Sequence, residues 1–86
     1  MTVDELGRRL ADEGFRQVLV YAEPKCLKCA NVILEQMPNR IWIVYFVERG
    51  VDTEIGSFTD EASACKCMLE TMLALKRASG EFFGSN

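Results

Sequence analysis

The stretch Ile41–Glu48, read as IWIVYFVE, decides the fold. It is a run of β-branched and aromatic residues that carries no charge before Glu48. Such a composition suits a pleated, packed surface and marks a strand. Alternation puts Trp42, Val44 and Phe46 on one side and Ile43, Tyr45 and Val47 on the other. Downstream, Arg49-Gly50-Val51-Asp52 has turn chemistry, and Thr53–Phe58 reads as a second strand returning alongside the first. Upstream, Met37-Pro38-Asn39-Arg40 is a tight connection, since Pro presets a turn and Asn tolerates left-handed backbone. Val32–Gln36 before it reads as a third strand. Short connections between consecutive strands mean an antiparallel meander.

Further out, Gln17–Glu23 (QVLVYAE) is a candidate fourth strand, ended by Pro24. Residues 25–31 stay open between a turn of helix and a loop. Helices flank the sheet at both ends of the chain. Thr2 and Glu5 have capping-box spacing, Val3, Leu6 and Leu10 follow at helical intervals, and Gly14 supplies a stop. The first helix therefore covers about residues 3–13. After Thr59, read as the N-cap with Asp60 and Glu61 in the first turn, a long helix runs to about Ser79 and stops at Gly80. Ala62, Cys65, Met68, Leu69, Met72, Leu73 and Leu75 fall on one face of it. The expectation is a single α+β domain over residues 1–86. It has an N-terminal helix, an antiparallel sheet of three to four strands, and a long C-terminal helix packed on one sheet face.

The central strand departs from a simple rule. A half-solvated antiparallel strand should alternate apolar with polar, yet this one is apolar on both sides. Either helices cover both faces, or the second face, with Ile43, Tyr45 and Val47, meets another protein.

Composition narrows the chemistry. Of the 86 residues 49% are hydrophobic and 27% charged, as in a folded domain. No apolar run is long enough to span a bilayer, and the acidic Met1–Glu5 opening is unlike a secretory signal, so a soluble, cytoplasmic protein is expected. Thirteen acids against ten bases give a net charge of −3. Without a basic stripe a nucleic-acid surface is disfavoured, while a basic protein partner is favoured. The chain has no His, which removes the Ser-His and Cys-His catalytic arrangements and the usual near-neutral base. It also lacks a glycine-rich phosphate loop and paired catalytic-looking carboxylates, so a non-enzymatic role is expected, with no cofactor.

Four cysteines raise the question of metal. Cys26-Leu27-Lys28-Cys29 has the spacing of a zinc knuckle, and Cys65 and Cys67 are the only further ligands of that kind. On a helix those two diverge by about 200°, Cys65 inward and Cys67 outward, so no metal site is expected. A thioredoxin-like role for Cys26 and Cys29 would need a βαβ unit, which an antiparallel reading does not supply.

The run Trp42-Ile-Val-Tyr-Phe-Val-Glu-Arg-Gly50, then Phe58-Thr-Asp-Glu-Ala-Ser-Ala-Cys65, then Leu69-Glu-x-x-Leu73, is similar to small bacterial immunity-type proteins encoded beside polymorphic toxins. The likeness covers about residues 32–75. It consists of an aromatic strand entering a Glu-Arg-Gly turn, a short strand, and a helix start rich in Glu and Ala that leads into leucines. The family tends to be polar where this chain has Ile43 and Val47, which makes the second face unusually apolar. The resemblance implies an antitoxin that binds a cognate toxin domain and blocks it by occlusion. The candidate contact residues are then Ile43, Tyr45, Val47, Glu48, Arg49, Asp52 and Glu54, with Asp60 and Glu61 as further rim charges. Asp60 and Glu61 read equally as helix-dipole partners. Other readings stay open: a small interaction or homodimerisation module using the same strand face, or a Cys-ligated zinc protein. No nucleic acid or membrane partner is expected.

Overall fold

A computed structural model describes residues 1–78. Helix α1 (Val3–Asp12) is followed by β1 (Val18–Tyr21), β2 (Cys26–Cys29), β3 (Val32–Gln36), β4 (Trp42–Glu48) and β5 (Val51–Phe58), and helix α2 (Glu61–Ala78) closes the order. The strands form one sheet in chain order, and every neighbouring pair is antiparallel. The α+β meander is as read from the sequence, but it has five strands, not three to four. The additional strand is β2, inside the segment left open between helix and loop. It pairs Cys26 with Tyr21 on one side and with Glu35 on the other, so the sheet continues through it.

Local chemistry sets the boundaries. At the start of α1, Thr2 Oγ1 accepts from Glu5 N–H (3.2 Å) and Glu5 Oε1 accepts from Thr2 N–H (2.8 Å), closing the capping box. Gly14 at φ +98° ends the helix in a conformation that side chains disfavour. The β4–β5 connection is tighter than the four-residue turn expected. Glu48 pairs with Val51, and only Arg49 (φ 54°) and Gly50 (φ 80°) lie between. Two successive positive φ values are the type I′ pattern, whose twist matches that of the flanking strands. In the β3–β4 connection Arg40, not Asn39, takes the left-handed backbone, while Asn39 Oδ1 accepts from Ile41 N–H.

The N-cap of α2 is Asp60 rather than Thr59: Asp60 Oδ2 accepts from Ser63 N–H at 2.8 Å. That hydrogen bond holds the Asp60 carboxyl below the usual carboxylate range. The buried stripe of α2 is Ala64, Cys65, Met68, Leu69 and Met72. Ala62, expected on it, is exposed, because at about 100° per residue it falls just beyond Leu69 at the rim of that arc. Cys67, expected outward, is half-buried beside Gly56 and Phe58. The expected Gly80 stop lies outside the described residues.

Both helices lie on the same side of the sheet. Helix α2 packs on β3, β4 and β5, α1 packs on β1 and β2, and the two touch each other. Their core is continuous, joining Val3, Leu6 and Leu10 of α1 to Leu27, Leu34, Val44 and Trp42 of the sheet and to Met68 and Met72 of α2. Helix α1 sits so close to β1 that a Cβ on Gly7 would lie 3.0 Å from Val20 Cγ2, and the valine would have to shift to admit it. The helices run in parallel and are tied at both ends. Glu61 Oε2 accepts from Val3 N–H at 2.8 Å and pairs with Lys25, while Lys76 donates to the Glu13 carbonyl and lies 5.8 Å from the Phe15 ring.

Candidate functional site

With both helices on one side, no described element covers the other face of the sheet. The register fixes what that face carries. Val44, Leu34 and Leu27 are directly aligned and buried, so their side of each strand is the helix side. The alternate residues then form the uncovered side. Leu19 and Tyr21 come from β1, Cys26 and Lys28 from β2, Ile33 and Glu35 from β3, and Ile43, Tyr45 and Val47 from β4. The reading in which helices cover both faces of β4 is therefore overturned. A ten-residue α1 reaches β1 and β2, and among the described residues there is no third helix for the far face.

Strand β5 completes the face through an irregularity. Val44 pairs with Gly56, but Tyr45 pairs with Glu54, so Ile55 is an extra residue in a β-bulge. The bulge changes the alternation beyond it. It sets Glu54 opposite Tyr45 and Asp52 opposite Val47, where an unbroken register would have set Ile55 against Tyr45. An apolar row is thereby bordered by carboxylates. Gly56 leaves room at the bend for the Phe58 ring, which a Cβ there would approach to 2.9 Å and push aside.

Tyr45 sits at the middle of the face, across from Ile33 on one side and Glu54 on the other. Its hydroxyl donates to Glu35 Oε1 at 3.0 Å. Burial, then the hydrogen bond and the nearby charge of Glu35, push the Tyr45 phenol up to about 12. At neutral pH it is a neutral donor already held in one direction. Ile33, Ile43, Tyr45 and Val47 are half-buried by one another, while Leu19 and Tyr21 are exposed. Lys28 stands 5.6 Å from the Tyr21 ring, within cation–π range. The charges are Lys28 against Glu35, Asp52 and Glu54, an acidic balance.

Of the seven residues singled out from the sequence, the structure gathers Ile43, Tyr45, Val47, Asp52 and Glu54 on this face. Glu48 alternates to the helix side with Phe46, and Arg49 stands in the turn at the sheet's end; both are exposed. Asp60 and Glu61 lie away from the face and serve the fold, as the cap of α2 and the tie to Val3. Leu19, Tyr21, Ile33, Lys28 and Glu35 were missed. Alternation within β1 and β3 was readable, but their shared side became visible only once β2 joined them.

The cysteines do not converge. Cys26 and Cys29 are the ends of a single strand, three residues apart, so they fall on opposite faces of the sheet, Cys29 under α1 and Cys26 on the uncovered side. Burial pushes the Cys29 and Cys65 thiols each up to about 11, where a metal ligand or nucleophile needs the reverse. Among the described residues no group of three or more His, Cys, Asp or Glu side chains is placed to hold a metal ion. No described helix is long and apolar enough to cross a membrane.

No family model, curated protein or solved structure matches the chain.

Proposed function

We propose that this protein is a non-enzymatic immunity protein that binds a cognate bacterial toxin domain in the cytoplasm and blocks it by occlusion. The observation that carries the binding reading is the one-sided placement of the helices. It leaves the cluster of Ile33, Ile43, Tyr45 and Val47, with Leu19 and Tyr21 beyond Lys28 and Cys26, uncovered by any described element. Monomeric proteins seldom leave a broad apolar patch rimmed by charge without a use for it. Tyr45 suits the role of anchor, being a large ring with its hydroxyl already oriented by Glu35. Asp52 and Glu54 border it on β5 and suit the speeding of encounter with a basic partner. The antitoxin identity of the role rests on the resemblance of residues 32–75 to immunity-type proteins.

The test is co-expression with the product of the adjacent toxin-like gene. Co-purification in a stoichiometric complex, together with protection of cells against that product, supports the proposal. Failure to bind and failure to protect, with the protein folded and expressed, overturns it.

A further inference from the structure

The β1 edge stands apart from the rest of the surface. Leu19, Val20 and Tyr21 are 53%, 42% and 44% exposed, three consecutive large apolar residues on an outer strand. They do not share a face. Leu19 and Tyr21 belong to the uncovered side, whereas Val20 lies on the helix side against Gly7. A partner resting on the sheet face would cover Leu19 and Tyr21 and leave Val20 in water. Only a strand alongside β1, in the plane of the sheet, covers all three.

The opposite edge shows what a guarded edge looks like. Strand β5 carries Asp52, Glu54 and a bulge, all of which discourage further pairing. Strand β1 has no charge from Gln17 to Ala22, no proline and no bulge. At four residues β1 is short, but an apolar edge with no charge, proline or bulge is one that folded proteins normally blunt, unless the edge is paired.

We infer that β1 pairs with β1 of a second copy, antiparallel about a two-fold axis, joining two sheets into one. The sequence is self-complementary in that arrangement. Antiparallel pairing centred on Val20 keeps like faces together and sets Leu19 of each copy against Tyr21 of the other. Val20 meets Val20, so every pair made within the strand is apolar. No like charges are apposed within the strand, whereas the same operation on β5 would bring Asp52 and Glu54 of both copies together. The uncovered faces of the two copies then form one continuous surface, with Tyr45 available on both. The inference is separate from the toxin reading, since it uses the edge and not Tyr45.

The experiment is sedimentation of the full chain over a range of concentrations, for the native protein and for Leu19→Lys, Tyr21→Lys and Ile43→Lys, each checked for native circular dichroism. The expected result is a dimer for the native protein and for Ile43→Lys, and a monomer for Leu19→Lys and Tyr21→Lys. A native protein that stays monomeric at the highest soluble concentration overturns the inference. So does a dimer that survives both edge variants, or one that Ile43→Lys dissociates as fully as Leu19→Lys, because the contact would then lie on the face.

Discussion

Neighbouring residues Ile33 and Leu34 offer a test of the one-sided core, because they sit on the same strand and point to opposite faces. Leu34 is fully buried, aligned between Leu27 and Val44 under α2. Truncating it to Ala removes three carbons and leaves a cavity that the surrounding helix and strands only partly fill, a loss of about 2–5 kcal/mol. Ile33→Ala removes the same three carbons. At about 0.8 kcal/mol per buried carbon the full loss would be about 2.4 kcal/mol. Ile33 is only half-buried, so the expected loss is about 1 kcal/mol, with no cavity term because water fills the space. Against a total of roughly 4–13 kcal/mol for 86 residues, the two variants should be well separated. Urea unfolding is the assay. With a slope near about 1 kcal/mol per molar, Leu34→Ala should lower the midpoint by some 2 M more than Ile33→Ala. Equal losses, or a larger loss for Ile33→Ala, would mean that the second face is packed within the folded chain, and the site reading would fail.

Alkaline pH should weaken the fold in a defined window. The Cys29 and Cys65 thiols are raised from 9.0 to about 11, so their stabilising effect is complete below the unfolded value and is lost as pH rises through the folded one; Tyr45, raised from 10.0 to about 12, adds to the loss above them. The urea midpoint should fall between about pH 9 and about pH 11, and an unchanged midpoint would contradict the burial of these groups. Asp60→Ala should lower the thermal midpoint while Thr59→Ala leaves it in place, because Asp60 carries the capping hydrogen bond. Asp52→Lys and Glu54→Lys should slow association with the toxin domain, more so at low salt, with little change in dissociation or thermal stability; stopped-flow measurements that find only the dissociation rate altered would place both residues in the buried contact.

The sequence made the β3–β4–β5 meander and both helices legible because each carries a strong local signal: the IWIVYFVE run, the Thr2–Glu5 capping box, the apolar stripe of α2. Strand β2 was hidden for a physical reason. Four residues with Lys28 in the middle and Cys at both ends have little β-branched content, and their strand character comes from being hydrogen-bonded on both sides. The bulge at Ile55 was hidden too, since it reflects how β5 must bend against β4 and α2, with Gly56 giving Phe58 room to lie flat. Asp60 and Thr59 are both good caps by composition; only backbone geometry chooses between them. The apolar second side of β4 was visible from alternation alone. That no described element covers it follows from the placement of α1, which chain order does not determine.

The proposed binding surface is the uncovered sheet face, with Tyr45 at its centre. The most direct measurement is the affinity of Tyr45→Ala for the cognate toxin domain, by calorimetry on the folded variant, with Tyr45→Phe alongside. Loss of a buried aromatic anchor costs about 2 kcal/mol or more, so Tyr45→Ala should bind at least about 30-fold more weakly, with Tyr45→Phe between it and the native protein. Unchanged affinity in a natively folded Tyr45→Ala would contradict the claim and move the interface off this face.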